Sequence, residues 1–158
     1  MNDAKITIVF GTYKQPDVIK GTLDSLMKSL YTEIKIIVID DNYPDDKEII
    51  NTTREIINSY SDSRIQYIKN DFNLGVPFVF KKWIDLVKTP YFLICGAGDS
   101  LLPQSLGKMF DYIENNPVAS FVFGKEKFEE TDGIFTEVNR ELGKTGIYPP
   151  DIFLKFHL

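Results

Sequence analysis

Seven consecutive residues, Ile36-Ile37-Val38-Ile39-Asp40-Asp41-Asn42, constrain the fold of this chain more than any other stretch. The run is apolar, β-branched and without alternation, the pattern of a strand buried on both faces, as in parallel sheets covered by helices. It ends abruptly in two adjacent carboxylates, which places acids at the carboxyl end of a strand. In open α/β sheets that rim is where ligands bind, and a carboxylate there accepts hydrogen bonds from a base or ribose, or holds a metal. The same two acids also suit a solvated turn with an Asp capping the next helix.

The rest of the chain alternates in the way such a sheet requires. Ile6 to Phe10 reads as a first strand, Gly11, Thr12 and Tyr13 as a loop, and Pro16 as a first helical position. Ile19, Leu23, Leu26, Met27 and Leu30 then recur at helical spacing. Ile34 to Ile39 is the second strand, and Pro44-Asp45-Asp46 opens a helix with Ile49, Thr53, Ile56, Ile57 and Tyr60 inward. A short strand over Ile65 to Ile68 leads through Asn73-Leu74-Gly75 to a helix carrying Val76, Val79, Phe80, Trp83, Ile84 and Val87. Tyr91 to Cys95 is a fourth strand, followed by Gly96-Ala97-Gly98-Asp99-Ser100 and a helix starting at Pro103. Val118 to Phe123 reads as a further strand, and Asp132-Gly133 as the tight turn of an antiparallel hairpin. Strands alternating with helices imply right-handed crossovers, and so a three-layer α/β/α sandwich with a mostly parallel sheet and a C-terminal hairpin. Periodicity fades after Asn139, and the chain is expected to stop before the fold is complete.

With 158 residues, 43% of them hydrophobic, a single domain spanning 1–158 is expected. A net charge of −5 without a long basic run argues against nucleic acid as a partner. The one cysteine, Cys95, excludes a disulfide framework and suits a small core side chain in a reducing compartment. No apolar segment approaches membrane-spanning length, and the first residues lack the apolar core of a signal peptide, so a cytoplasmic setting is expected, with peripheral attachment to the inner face of a membrane left open.

Thr12-Tyr13, Asp40-Asp41, Asn73-Leu74-Gly75 and Gly98-Asp99 all fall after a strand or before a helix, so one sheet would carry them to the same rim. In this order and spacing, over about Lys5 to Glu126, the chain resembles the family 2 glycosyltransferases of the GT-A fold. That family has a Thr-Tyr loop after the first strand, a strand ending in paired Asp, an Asn-Leu-Gly segment, and a strand leading to Asp-x-Asp-Asp with a proline four residues later. The resemblance implies an inverting transfer of a sugar from a nucleotide-diphospho-sugar, UDP-linked by family habit, to a hydroxyl of a glycan or lipid-linked acceptor, as in polysaccharide biosynthesis. It implies that Tyr13 lies against the base, that Asp41 accepts hydrogen bonds from it with Asp40 alongside, and that Thr12, Asn73 and Gly75 complete the nucleotide site. An aromatic face supplies contact area at little entropic cost, and a buried acceptor rejects bases that cannot donate to it.

The departures from the family pattern are specific. Gly96 and Gly98 stand where the family has the two acids that bind Mg2+ or Mn2+, and only Asp99 remains to meet a metal or diphosphate. Asp99 or Ser100 also fits the cap of the following helix. Phe80 occupies the place of a frequent diphosphate-binding Arg; Lys81 or Lys82 is a candidate substitute, with both lysines expected on the helix's solvent face. No catalytic base matches. Asp132 and Asp151 are acids better explained by turns or caps, and His157 lies beside the terminus. Three other readings follow: a non-catalytic nucleotide-sugar-binding module or inactive fragment; a dinucleotide fold through Gly96-x-Gly98, which lacks the third glycine; and a receiver-like signalling domain, whose acidic pair would follow the first strand.

Overall fold

The structure, a computed structural model, describes residues 4–124, 127–129 and 135–137. The chain forms two compact units, 1–106 and 107–158. In the first, β1 (Ile6–Thr12), α1 (Pro16–Met27), β2 (Ile34–Asp40), α2 (Lys47–Asn58), β3 (Ile65–Lys69), α3 (Val76–Leu86) and β4 (Tyr91–Ile94) follow one another, and α4 (Ser105–Glu114) begins at its end. The four strands make one sheet in the order β3-β2-β1-β4, every pairing parallel. The expected α/β architecture is therefore present.

Right-handed crossovers decide the layers. The steps from β1 to β2 and from β2 to β3 run in one direction along the sheet, so α1 and α2 share a face and touch one another. The step from β3 back across to β4 runs the other way and carries α3 to the opposite face. Reversal of direction between β1 and β4 makes their carboxyl ends the topological switch point, where such sheets open a crevice.

Burial follows the pleat. Ile8, Val9, Phe10 and Ile36 to Ile39 are all fully buried, as a run without alternation demands. On the α3 face Val9, Ile37 and Ile39 pack with Val79 and Trp83. Gly11 lies on this face where space is tight: a Cβ there would stand 3.3 Å from Trp83 Cζ2 and 3.4 Å from Val79 Cγ1, so these side chains would have to give way. Only Val79 and Trp83 of α3 are buried; Val76 and Ile84 stay exposed, as do Phe92 and Ile94 of β4 on the same sheet face. One helix laid over β1 and β2 buries a narrow stripe and leaves the β4 side uncovered. Cys95 is buried as expected, and burial, with the Asp99 carboxylate as a lesser cause, pushes its thiol up to about 12.

Element ends differ from the sequence reading by a few residues. β1 runs on to Thr12 and β2 takes in Asp40, because the register pairs Thr12 with Asp40 and continues the ladder to the rim. α2 starts at Lys47, three residues after Pro44, since Asp46 N–H turns back to the Tyr43 carbonyl first. In the second unit the hairpin consists of β5 (Lys127–Glu129) and β6 (Phe135–Glu137), antiparallel; Asp132 and Gly133 lie outside the described residues. The strand expected over Val118 to Phe123 is not formed. Val118 is 78% exposed, and among the described residues no strand pairs with this segment, so its apolar run has no ladder to join.

Gly11→Val is expected to lower stability by about 1–3 kcal/mol, the usual range for forced overpacking, measured by urea denaturation; an unchanged midpoint would show that Trp83 moves aside freely.

Candidate functional site

At the carboxyl ends of β1, β2 and β3 the two acids point apart, as successive residues of a strand must. Asp40 is fully buried and its carboxylate is fully engaged. Oδ1 accepts the Asn42 N–H at 2.9 Å and Asn42 Nδ2 at 2.7 Å; Oδ2 accepts the Tyr67 hydroxyl at 2.5 Å. Burial, then the Asp40 carboxylate, pushes the Tyr67 phenol well above its ordinary range, partly offset by the Arg54 guanidinium. The hydroxyl therefore stays a donor to Asp40 at any physiological pH.

Asp41 turns the other way, toward the Asn-Leu-Gly loop. Its Oδ1 accepts Asn70 Nδ2 at 2.7 Å and the Leu74 N–H at 2.8 Å, and its Oδ2 accepts the Gly75 N–H at 2.8 Å. The Asp41 backbone N–H donates to the Thr12 carbonyl, and the Asp41 carbonyl accepts Asn73 Nδ2 at 2.6 Å. One residue thus joins the ends of β1 and β2 to the start of α3. Gly75, with φ of +76°, precedes that helix in a conformation only glycine adopts without strain. Asn70 passes the network on, because Lys82 Nζ donates to its Oδ1. Lys82 is therefore not on the solvent face, whereas Lys81 is, paired with Asp85 at 2.7 Å. Phe80 stacks edge-on against Trp83 at 4.8 Å.

Above the buried acids the rim is aromatic. Tyr13 is 42% exposed and meets Tyr43 edge-to-face at 6.1 Å. Lys14 holds a positive φ of 54°; its N–H donates to Asn42 Oδ1 at 2.6 Å, which places its ammonium 5.5 Å from the Tyr13 ring, 6.0 Å from the Tyr43 ring and 3.6 Å from Asp46 Oδ2. Thr12 is buried and its hydroxyl has no hydrogen-bond partner among the described residues, an unfavourable state that a ligand or water at the rim would relieve.

The loop after β4 is a separate structure. The Asp99 N–H bonds back to the Gly96 carbonyl, and Asp99 Oδ2 accepts the Gly96 N–H at 2.8 Å, closing a tight turn. A Cβ at position 96 would stand 2.7 Å from that oxygen, and Gly98 has φ of +100°. A side chain at 96 would push the Asp99 carboxylate out of this turn, and one at 98 would strain the backbone. Thr22 and Ser25 of α1 accept the N–H groups of Gly98 and Leu101 and anchor the loop. Asp99 Oδ1 makes no hydrogen bond among the described residues, and these contain no cluster of three His, Cys, Asp or Glu able to cage a metal. Asp99 bonds to none of the Asp41 network. Thr12, Tyr13, Asp40, Asp41, Asn73 and Gly75 do share one connected rim.

With this arrangement in view, residues 7–155 match the family model described as "Glycosyl transferase family 2". The chain belongs to glycosyl transferase family 2. An uncharacterised glycosyltransferase of Methanocaldococcus jannaschii is 31% identical over 136 residues, covering 84% of this chain and 45% of that relative. Escherichia coli WfaP, a UDP-Glc:alpha-D-GlcNAc-diphosphoundecaprenol beta-1,3-glucosyltransferase, is 27% identical, with 84% and 50% covered. The chain spans about half the length of these two relatives. Among solved structures, S. aureus TarS in complex with UDP aligns with a TM-score of 0.57 at 18% identity, covering 72% of this chain and 33% of that one. A Pyrobaculum calidifontis mannosyltransferase in complex with GDP-Man and Mn2+ aligns with 0.59 at 13% identity, covering 69% and 32%. These likenesses identify the GT-A fold. No helix among the described residues is long and apolar enough to cross a membrane.

Several residues of this family 2 rim escaped the sequence reading: Asn42, Tyr43, Tyr67, Asn70 and Lys82. Adjacency to Asp40-Asp41 marks the first two, whereas the others reach the rim only through the register of β3 and the packing of α3. Asp41→Ala leaves the Asn70 amide and two backbone N–H groups without their acceptor, so a stability loss of about 2–4 kcal/mol is expected, read by urea denaturation; a loss under about 0.5 kcal/mol would show that water replaces the carboxylate.

Proposed function

We propose that this chain supplies the donor-binding half of a family 2 glycosyltransferase using a nucleotide-diphospho-sugar, with UDP as the nucleotide. The observation that carries the reading is the open Tyr13 ring set above the buried Asp40-Asp41 pair, in a chain of this family. Tyr13 offers a face for the base, with Tyr43 edge-on beside it. Asp41 acts through the loop it shapes and through its residual 5% exposure, since both its oxygens are already engaged by the chain. The helix dipole at the start of α3 favours a diphosphate nearby, although the Leu74 and Gly75 N–H groups are already held by Asp41 and Pro77 has none to offer.

The reaction is a single displacement. An acceptor hydroxyl attacks the anomeric carbon, the bond to the diphosphate breaks with its electron pair leaving on the nucleoside diphosphate, and the configuration inverts. The hydroxyl proton passes to a base. Asp132, Asp151 and His157 lie outside the described residues, and none is assigned that role. A glycan or lipid-linked hydroxyl is the acceptor in this reading, supported by the lipid-diphosphate-linked acceptor in the name of WfaP.

A divalent cation fits only in part. Asp99 Oδ1 is the protein oxygen that would hold Mg2+ or Mn2+, the remainder of its shell being diphosphate oxygens and water. Such a cation, when bound, neutralises charge on the departing diphosphate. Binding without turnover is a second reading, favoured by the Gly96-Asp99 turn that replaces the acidic pair.

Calorimetric titration with UDP in Mn2+ is expected to show saturable binding that Tyr13→Ala weakens about tenfold; absence of binding overturns the donor reading. UDP release from UDP-sugars with an added acceptor then separates transfer from binding alone. Asp99→Asn should reduce the gain in UDP affinity brought by Mn2+ while metal-free affinity stays unchanged. If EDTA leaves UDP affinity of the unaltered chain untouched, Asp99 holds no metal.

A further inference from the structure

Beyond the rim, α2 and the end of β3 border an open cleft of about 370 Å³ that none of Thr12, Tyr13, Asp40, Asp41, Asn73, Gly75 or Asp99 lines. Lys47, Asn51 and Arg54 enter it from α2, at spacings of four and three residues that put them on one helical stripe beside the buried Ile50. Lys69, Asn70 and Asp71 enter it from the end of β3. Three cations thus line the cleft against one carboxylate, a local charge of +2 (3 − 1) in a chain whose net charge is −5.

None of the three cations forms an ion pair with a described residue. Arg54 donates to the Asn51 side-chain oxygen Oδ1 at 3.5 Å and lies near the Tyr67 hydroxyl. Lys69 donates to the backbone carbonyls of Asn42, at 2.7 Å, and of Asn70, which fix its position without neutralising it. The Lys47 ammonium forms no ion pair among the described residues. Like charges gathered in one concavity and left uncompensated repel one another, and an anion placed among them removes that cost.

We infer that this cleft is a second binding site, for a small phosphate-bearing anion such as a phosphate ester or a diphosphate. Arg54 offers the planar fork that matches two phosphate oxygens, Lys47 and Lys69 add point charges, and the Asn51 amide supplies a neutral donor. The open side leaves room for the remainder of the molecule. Lys69 and Asn70 belong to both places: Lys69 holds the Asn42 carbonyl, and Asn70 donates to Asp41. An anion seated here therefore touches the scaffold of the nucleotide rim without occupying it. The site stands on these cations alone and does not depend on the glycosyltransferase reading.

The test is amide-resolved NMR titration of the chain with inorganic pyrophosphate at constant ionic strength, repeated with UDP. Saturable shifts at residues 47–54 and 69–71 are expected, weakened at least tenfold in the Lys47→Ala/Arg54→Ala variant, whose altered side chains are exposed. UDP should instead move the amides of Tyr13, Lys14 and Leu74. The inference is overturned if pyrophosphate produces no saturable shift at 47–54, if the double variant binds it equally well, or if its shifts fall only on the UDP-sensitive amides. Retention on anionic vesicles without any response to pyrophosphate likewise overturns a small-anion site. Failure of UDP to bind leaves this outcome unaffected and bears on the donor reading alone.

Discussion

The carboxylate of Asp41 organises the rim. A buried carboxylate is costly unless its lone pairs are filled, and here three donors fill them: one side-chain amide and two backbone N–H groups from the approach to α3. The arrangement also serves the helix, whose opening N–H groups find no partner within the helix itself and whose dipole favours negative charge at that end. With the Asp41 backbone bonded to Thr12 and Asn73, a single residue sets the relative positions of three strand ends.

Asp40 and Asp41 look equivalent in the chain and are opposite in the fold. Alternation along β2 sends Asp40 to Tyr67 and Asn42, and Asp41 to the Asn-Leu-Gly loop. The acidic pair is thereby converted from a ligand-facing double charge into two internal anchors. What faces outward is the Tyr13 and Tyr43 rings with the Lys14 ammonium between them, held by a buried asparagine that fastens the first loop to the second. In the proposed donor site, recognition rests on aromatic contact backed by a polar floor.

The turn after β4 shows a different economy. Asp99 folds onto the Gly96 N–H, Gly98 takes a left-handed conformation, and two hydroxyls of α1 hold the loop down. An acid restored at 96 would displace the Asp99 carboxylate, and one at 98 would strain the backbone. At Gly98 the departure from the family's Asp-x-Asp pattern is thus built into the local path of the chain.

The amino-acid sequence alone determined the alternation of strands and helices, the parallel sheet, the rim carrying Thr12, Tyr13, Asp40, Asp41, Asn73 and Gly75, and the family resemblance, because periodic burial and strand-end position are local properties written residue by residue. It misjudged Val118 to Phe123, where an apolar run has strand character but no partner, and Lys82, whose target is twelve residues away across a turn of the fold. Only the tertiary structure decided that both acids are saturated from within, that Asn42, Tyr67 and Asn70 belong to the rim, and that Lys47, Arg54 and Lys69 share one cleft. Those facts depend on which strand neighbours which and in what register, and hydrogen bonds between residues tens of positions apart leave no periodic trace in the chain.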